Sequence, residues 1–134
     1  LSQVNVSVSG VILVSKIYAE VEYNQGVNMS ANFDKIEKLA QRDVAQLQHA
    51  EKSYGDSWRK RGGVGAFMML ARKFDRIENQ SMKCHWDVFG AILDDPTSAG
   101  ILDDIRDLRC YLYLVEEYAT RLLEEIEANK NNAE

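Results

Sequence analysis

From Ser30 or Asn32 onward, apolar residues recur at the three- and four-residue spacing of an amphipathic α-helix. Either residue can cap the helix, because a short polar side chain accepts a hydrogen bond from the backbone N–H groups of the first turn. The apolar stripe consists of Phe33, Ile36, Leu39, Ala40, Val44, Leu47 and Ala50. This pattern predicts one long helix that ends near Tyr54.

The same spacing predicts three further helices. They extend from about Val64 to Asn79, from Ser81 to Leu93 and from about Ile101 to Ala128. On the second helix we expect the following residues to be buried: Phe67, Leu70, Ala71, Phe74 and Ile77. Residues 94–100 contain the only proline of the chain and break the helical pattern. The sequence thus predicts an all-α bundle of three or four helices over residues 29–128, followed by a frayed tail at residues 129–134.

Residues 1–28 follow a different pattern. Val4, Val6 and Val8 alternate with polar residues, and a run rich in β-branched and aromatic side chains follows them. This composition favours a short β-hairpin, although two strands alone are only marginally stable in water. Met29 opens the helical part, so a second hypothesis is that residues 1–28 are an upstream extension from a misplaced start codon. The sequence leaves both interpretations open.

Length and charge narrow the functional classes. A chain of 134 residues forms one domain with a modest core, which self-association into a homodimer would help to complete. The net charge of −5 argues against a partner such as duplex DNA or RNA, because proteins that bind those carry a basic face. Two cysteines without a disulfide framework favour a cytoplasmic location. No apolar run approaches the roughly 20 residues of a membrane span, so we expect no membrane association.

A polar, glycine-rich bend between the first two predicted helices carries most of the candidate chemistry. It contains Tyr54, Gly55, Asp56, Ser57, Trp58, Arg59, Lys60 and Arg61, followed by three glycines around Val64. Cations beside the free N–H groups of a helix start suit a phosphate group, and the two aromatic rings can stack on a base. No Gly-Lys-Ser/Thr sequence is present, so the bend is not a P-loop. The structural alternative is a solvated turn whose tryptophan packs into the core.

Two pairs of carboxylates at i, i+3 spacing are the second candidate. Asp75 and Glu78 share a face of the second helix, and Asp104 and Asp107 border the apolar stripe of the last one. Such carboxylates can bind a hard cation such as Mg²⁺. They can equally form ion pairs, because burying carboxylates is costly unless donors face them. The available donors are Arg72 and Arg76 for the first pair, and Arg106, Arg109, Lys73 or Arg76 for the second.

Three of these segments together resemble a known family. The segments are Tyr54-Gly55-Asp56-Ser57-Trp58-Arg59, then Lys73-Phe74-Asp75-Arg76-Ile77-Glu78, then Asp104 through Tyr113. They are similar to the phage and bacterial family called nucleotide modification associated domain, type one, over about residues 45–118. The resemblance implies a phage-related setting around modified nucleotides. The chain departs from the family pattern in the long insert from Ser81 to Gly100.

A more distant similarity is to the MazG-type all-α nucleoside triphosphate pyrophosphohydrolases. In those enzymes, Glu-x-x-Glu on one helix and Glu-x-x-Asp on a later one hold Mg²⁺ on the triphosphate. Here Asp75-x-x-Glu78 and Asp104-x-x-Asp107 have comparable order and separation. The resemblance implies that Mg²⁺ would polarise the phosphates and activate water.

The residues predict a cytoplasmic nucleotide-binding protein, and the resemblance implies that it is phage-related and associated with modified-nucleotide metabolism. The predicted ligand-binding residues are Tyr54, Asp56, Trp58, Arg59, Arg61, Lys73 and Arg76, and the predicted Mg²⁺ ligands are Asp75, Glu78, Asp104 and Asp107. Three alternatives stay open: a Mg²⁺-dependent pyrophosphohydrolase, a protein that sequesters a nucleotide signal in antiphage defence, and a structural dimerisation module. Every ligand-binding hypothesis assumes that the cationic bend and the acidic border of the last helix open into one cavity.

Overall fold

The computed structural model describes residues 30–97 and 100–133. Within them the chain forms helices α1 (Phe33–Tyr54), α2 (Gly62–Lys83), α3 (Val88–Asp94) and α4 (Ile101–Asn132), with one 3₁₀ turn at Ser57–Arg59. The predicted all-α bundle is therefore confirmed for this part of the chain. The hairpin or extension predicted for residues 1–28 lies outside the described residues.

Helix α1 begins and ends where the sequence predicts. The side chain of Asn32 accepts a hydrogen bond from the backbone N–H of Lys35 at 3.0 Å, which satisfies one of the donors at the helix start. At the other end Gly55 has a φ of 54°, and its N–H donates to the carbonyl oxygen of Glu51 at 2.8 Å. Glycine adopts this left-handed conformation readily, so it stops the helix and turns the chain into the bend.

The third helix is shorter than predicted. Ser81 belongs to α2, which continues to Lys83, and α3 begins only at Val88. Two consecutive non-glycine residues between them, His85 and Trp86, have left-handed φ values of 53° and 66°. The carboxylate of Asp87 then caps α3 by accepting from the N–H groups of Phe89 and Gly90, both at 3.0 Å. Periodicity could not reveal this turn, because its apolar residues keep the helical spacing across it.

Helix α4 continues to Asn132, beyond the predicted end at Ala128. No glycine or proline follows Ala128, so nothing in the local sequence stops the helix there. The last residues therefore form helical turns where the sequence predicted a frayed tail.

The core of the described chain is small and lies where α2, α3 and α4 meet. Its buried apolar residues Cys84, Ala91 and Ile101 pack with the half-buried Ile77, Val88 and Ile92. Helix α2 packs mainly against α4, and α1 contacts α4 less extensively. The predicted burial of Phe67 and Phe74 is wrong, because their side chains are 63% and 55% exposed. They occupy a different face of α2 from Ala66 and Ile77, which face the rest of the chain.

Among the described residues, no helix is both long enough and apolar enough to cross a membrane.

Candidate ligand-binding cleft

An open cleft of about 1070 Å³ lies between the end of α1, the bend and the middle of α4. The bend contributes Asp56, Trp58, Arg59 and Arg61 to its wall, while α1 contributes Glu51 and Tyr54. Helix α4 adds Tyr111, Leu114, Glu117 and Arg121, and α2 adds Met69. The cleft therefore brings aromatic rings and guanidinium groups from distant parts of the sequence together.

Tyr118 on α4 holds the wall of this cleft in place. The ring of Trp58 packs edge-on against it, with 6.1 Å between the centroids and an interplanar angle of 86°. The guanidinium carbons of Arg59 and Arg121 lie 4.6 Å and 5.5 Å from its centroid. Aromatic pairs and cation–π contacts of this kind fix side chains without neutralising their charge. Trp58 is half-buried, which leaves part of the indole for a ligand.

Two of the three cleft arginines have a carboxylate partner. Arg59 lies 2.6 Å from Asp56, and Arg121 lies 2.5 Å from Glu117. Arg61 has no ion-pair partner within residues 30–97 and 100–133. Ion pairs between exposed side chains contribute little to stability, so a phosphate group can compete with either carboxylate. The cleft is thus suited to an anion that carries a planar ring.

A second cluster joins α2 to the start of α4. The ammonium group of Lys73 lies 2.6 Å from Asp107 and 3.5 Å from Asp104, whose side chain is only 2% exposed. Nε of Arg76 lies 3.1 Å from Oδ2 of Asp104, an ion pair without hydrogen-bond geometry. This confirms the alternative in which Lys73 or Arg76 neutralises the acidic border of the last helix. The pairing is what makes burial of Asp104 tolerable.

The carboxylates of this cluster also change the pKa of Lys73. Burial alone would lower the pKa of Lys73. The hydrogen bond and charge of Asp107, together with those of Asp104, outweigh burial and raise this pKa above its ordinary value of 10.5. Lys73 therefore stays charged and paired at neutral pH.

The predicted Mg²⁺ ligands do not form a shared set in this arrangement. Asp104 and Asp107 face Lys73, whereas Asp75 and Glu78 are exposed on α2. Within the described part of the chain, no three histidine, cysteine, aspartate or glutamate side chains are grouped closely enough to hold a metal ion. Magnesium binding at these residues stays a prediction.

The cationic bend lines the cleft, whereas neither Asp104 nor Asp107 does. Of the predicted ligand-binding residues, Tyr54, Asp56, Trp58, Arg59 and Arg61 line the cleft. Lys73 and Arg76 lie in the second cluster instead, against Asp104. The cleft therefore does not combine the bend with the acidic border, because Lys73 and Arg76 pair with Asp104 instead of lining it, and any ligand of the cleft would bind to the bend without these carboxylates.

Sequence reasoning missed the partly buried ion pair between α1 and α4. Arg109 donates to Asp43 from Nε at 2.6 Å and from Nη2 at 2.8 Å. The hydrogen bond to Asp43 raises the pKa of Arg109, and the charge of Asp43 adds to the increase, against the lowering effect of burial. A signal was present, since Asp43 lies seven residues after Ile36 and seven before Ala50, within the apolar stripe. A charged residue at such a position needs a partner on the facing helix.

Tyr118 and Arg121 were missed for a different reason. They follow Tyr113, where the last of the three segments that carry the family resemblance ends, and on sequence alone they belong to an ordinary exposed helix end. Only the folded chain shows that α4 passes beside the bend, where the Tyr118 ring contacts Trp58 and Arg59 and is also contacted by Arg121.

No protein-family model, curated protein or solved structure matches the chain.

Proposed function

We propose that the protein binds a nucleotide in the cleft between α1, the bend and α4. One observation carries this proposal: a single cavity of about 1070 Å³ is lined by Tyr54, Trp58 and three guanidinium groups. That volume slightly exceeds the roughly 300–1,000 Å³ of typical small-molecule sites, so the cleft has room for a nucleotide. The resemblance of Tyr54–Arg59 to the nucleotide modification associated domain supports a phage-related setting in modified-nucleotide metabolism.

In this proposal the base stacks on the free part of Trp58 or on Tyr54, and the phosphates bind the arginines. Base stacking on an aromatic side chain contributes about 1–3 kcal/mol per base. Arg61 binds a phosphate directly, whereas Arg59 exchanges Asp56 for a phosphate oxygen. Because Tyr118 holds Arg59 from behind, the guanidinium group is already placed before the ligand arrives.

The fluorescence of Trp58 provides a direct test, because the chain has only one other tryptophan. A Trp86→Phe variant leaves Trp58 as the sole reporter, and we expect nucleotides to quench its emission with saturation. Arg59→Gln combined with Arg61→Gln should weaken binding at least tenfold, since each lost charge-assisted hydrogen bond is costly. Lys60→Gln is the matched control, because this cation lies in the same bend but does not line the cleft.

Two outcomes would contradict the proposal. One is a set of nucleoside mono-, di- and triphosphates that leaves the emission of Trp58 unchanged. The other is equal binding by the arginine variant and the Lys60→Gln control. Incubation of the same nucleotides with Mg²⁺ and the protein, followed by measurement of released pyrophosphate, separates a binding protein from a pyrophosphohydrolase.

The proposal includes self-association through the exposed apolar face of α2. Val64, Phe67 and Phe74 share this face and are 79%, 63% and 55% exposed. Exposed apolar side chains that share one face of a helix are a candidate protein interface, because large exposed apolar patches on soluble proteins mark interaction sites. Only four apolar residues of the described chain are buried. We therefore infer that a second copy covers this face and completes the core.

A further inference from the structure

A smaller cavity of about 190 Å³ lies in the groove between α1 and the first turns of α4. No residue lines both this cavity and the larger cleft. Most of its lining residues are polar or charged, with Arg42 and Gln46 on α1 and Asp103 and Arg106 on α4. The partly buried Asp43–Arg109 pair forms another part of the wall.

The charges of this wall do not cancel. The carboxylate of Asp43 accepts two hydrogen bonds from Arg109. The carboxylate of Asp107 forms an ion pair with Lys73. Arg42 and Arg106 have no ion-pair partner in the part of the chain that the structure describes. Two guanidinium groups therefore remain, against the single carboxylate of Asp103.

We propose that this cavity binds a protonated oxyanion, for which inorganic phosphate is the representative ligand. Arginine presents N–H groups in a planar fork that matches two oxygens of a tetrahedral oxyanion, and Arg42 and Arg106 supply two such forks. The amide of Gln46 adds another donor. A volume of about 190 Å³ exceeds several times the roughly 30 Å³ share of one water, so the ion fits with part of its hydration.

Asp103 sets the selectivity of this site. A carboxylate near neutral pH only accepts hydrogen bonds. Inorganic phosphate keeps at least one proton under these conditions and can donate it in a hydrogen bond to Asp103, whereas sulfate has no proton to donate. A sulfate oxygen would face the carboxylate oxygens of Asp103 with no proton between them, and two negatively charged oxygens in contact repel each other. The site should therefore prefer phosphate to sulfate although the two ions have the same shape.

Isothermal titration calorimetry on the full chain with sodium phosphate and with sodium sulfate tests this directly. We expect saturable binding of phosphate that is at least about tenfold tighter than that of sulfate. Arg42→Gln and Arg106→Gln should each weaken phosphate binding at least tenfold, because each removes a charge-assisted contact. Asp103→Asn should bring sulfate close to phosphate in affinity, since an amide donates a hydrogen bond to either ion.

The double variant Arg59→Gln/Arg61→Gln, which alters the larger cleft, should bind phosphate as the unaltered protein does. A phosphomonoester such as glycerol phosphate distinguishes the free ion from a phosphate group on a larger ligand. Binding of either phosphate or glycerol phosphate supports the site if Arg42→Gln abolishes that binding.

Three results would overturn the proposal: no phosphate binding, equal affinity for phosphate and sulfate in the unaltered protein, or loss of binding in the cleft variant alone. The comparison of the two ions needs no variant, so a poorly folded variant cannot obscure it.

Discussion

Asp43 and Arg109 form a two-point ion pair that ties α1 to α4. Both carboxylate oxygens accept hydrogen bonds, at 2.6 Å and 2.8 Å, and the side chain of Asp43 is only 5% exposed. Helix α1 buries no apolar residue in the single chain, and Asp43 is its only buried side chain. The docking of α1 therefore depends more on this polar contact than helix docking usually does.

Asp43→Asn should lower the free energy of unfolding by about 2–3 kcal/mol, because it leaves the partly buried guanidinium group with a neutral acceptor. Urea denaturation followed by circular dichroism measures the change. Replacing both partners, with Asp43→Leu and Arg109→Leu, should restore much of the loss, since an apolar pair needs no desolvated charge. Glu117→Gln, which breaks an exposed pair, is the control and should leave the denaturation curve unchanged. An Asp43→Asn variant as stable as the original would show that α1 is held by other contacts.

Stability should fall in alkaline solution between pH 9 and pH 11. Burial, helped by the charges of Asp43 and Asp107, raises the pKa of Cys110 from 9.0 to about 11. Above pH 9 the Cys110 thiol stays protonated in the folded protein, whereas it loses its proton in the unfolded chain. The contribution of the thiol to the free energy of unfolding is therefore full below pH 9 and is lost as the pH rises through the pKa of the folded protein. The raised pKa of Lys73 acts in the same direction above 10.5.

Urea midpoints measured across this range provide the check. Cys110→Ala should reduce the loss of stability between pH 9 and pH 11, whatever its effect at neutral pH, because the titrating thiol is gone. Parallel pH profiles for Cys110→Ala and the unaltered protein would refute the assignment.

Tyr118 should matter to the cleft through its ring and not through its hydroxyl group. In a Trp86→Phe background, Tyr118→Leu should shift the emission of Trp58 to longer wavelength, because the edge-on contact is lost. It should also weaken nucleotide binding roughly fivefold, since loss of the contact with Arg59 amounts to about 1 kcal/mol. Tyr118→Phe keeps the ring and should match the unaltered protein in both measurements. Equal effects of the two substitutions would assign the role to the hydroxyl group.

The sequence predicts those parts of the fold that depend on local chemistry. The periodicity of apolar residues located three long helices, and the cap at Asn32 and the glycine at Gly55 fixed both ends of α1. The left-handed turn at His85 and Trp86 was missed, because neither residue type signals it.

The candidate sites divide in the same way. The bend was predictable because its aromatic and cationic residues are adjacent in sequence. The contributions of Tyr118 and Arg121 were not, since they depend on where α4 crosses the bend. Conversely, Lys73 and Arg76 were suitable for phosphate binding by composition, but their pairing with Asp104 follows from the packing of α2 on α4.

The exposed face of α2 should make the protein a dimer in solution. Light scattering coupled to size-exclusion chromatography should give twice the mass of one chain, and the melting temperature should rise with protein concentration. Phe67→Glu together with Phe74→Glu should produce a monomer, because burying two carboxylates at an interface without partners is strongly unfavourable. Asn79→Glu adds charge to the same helix at an exposed polar position and should leave the dimer intact. A chain that is monomeric at every concentration, or a double variant that dimerises as well as Asn79→Glu does, would mean that these phenylalanines face solvent or another protein.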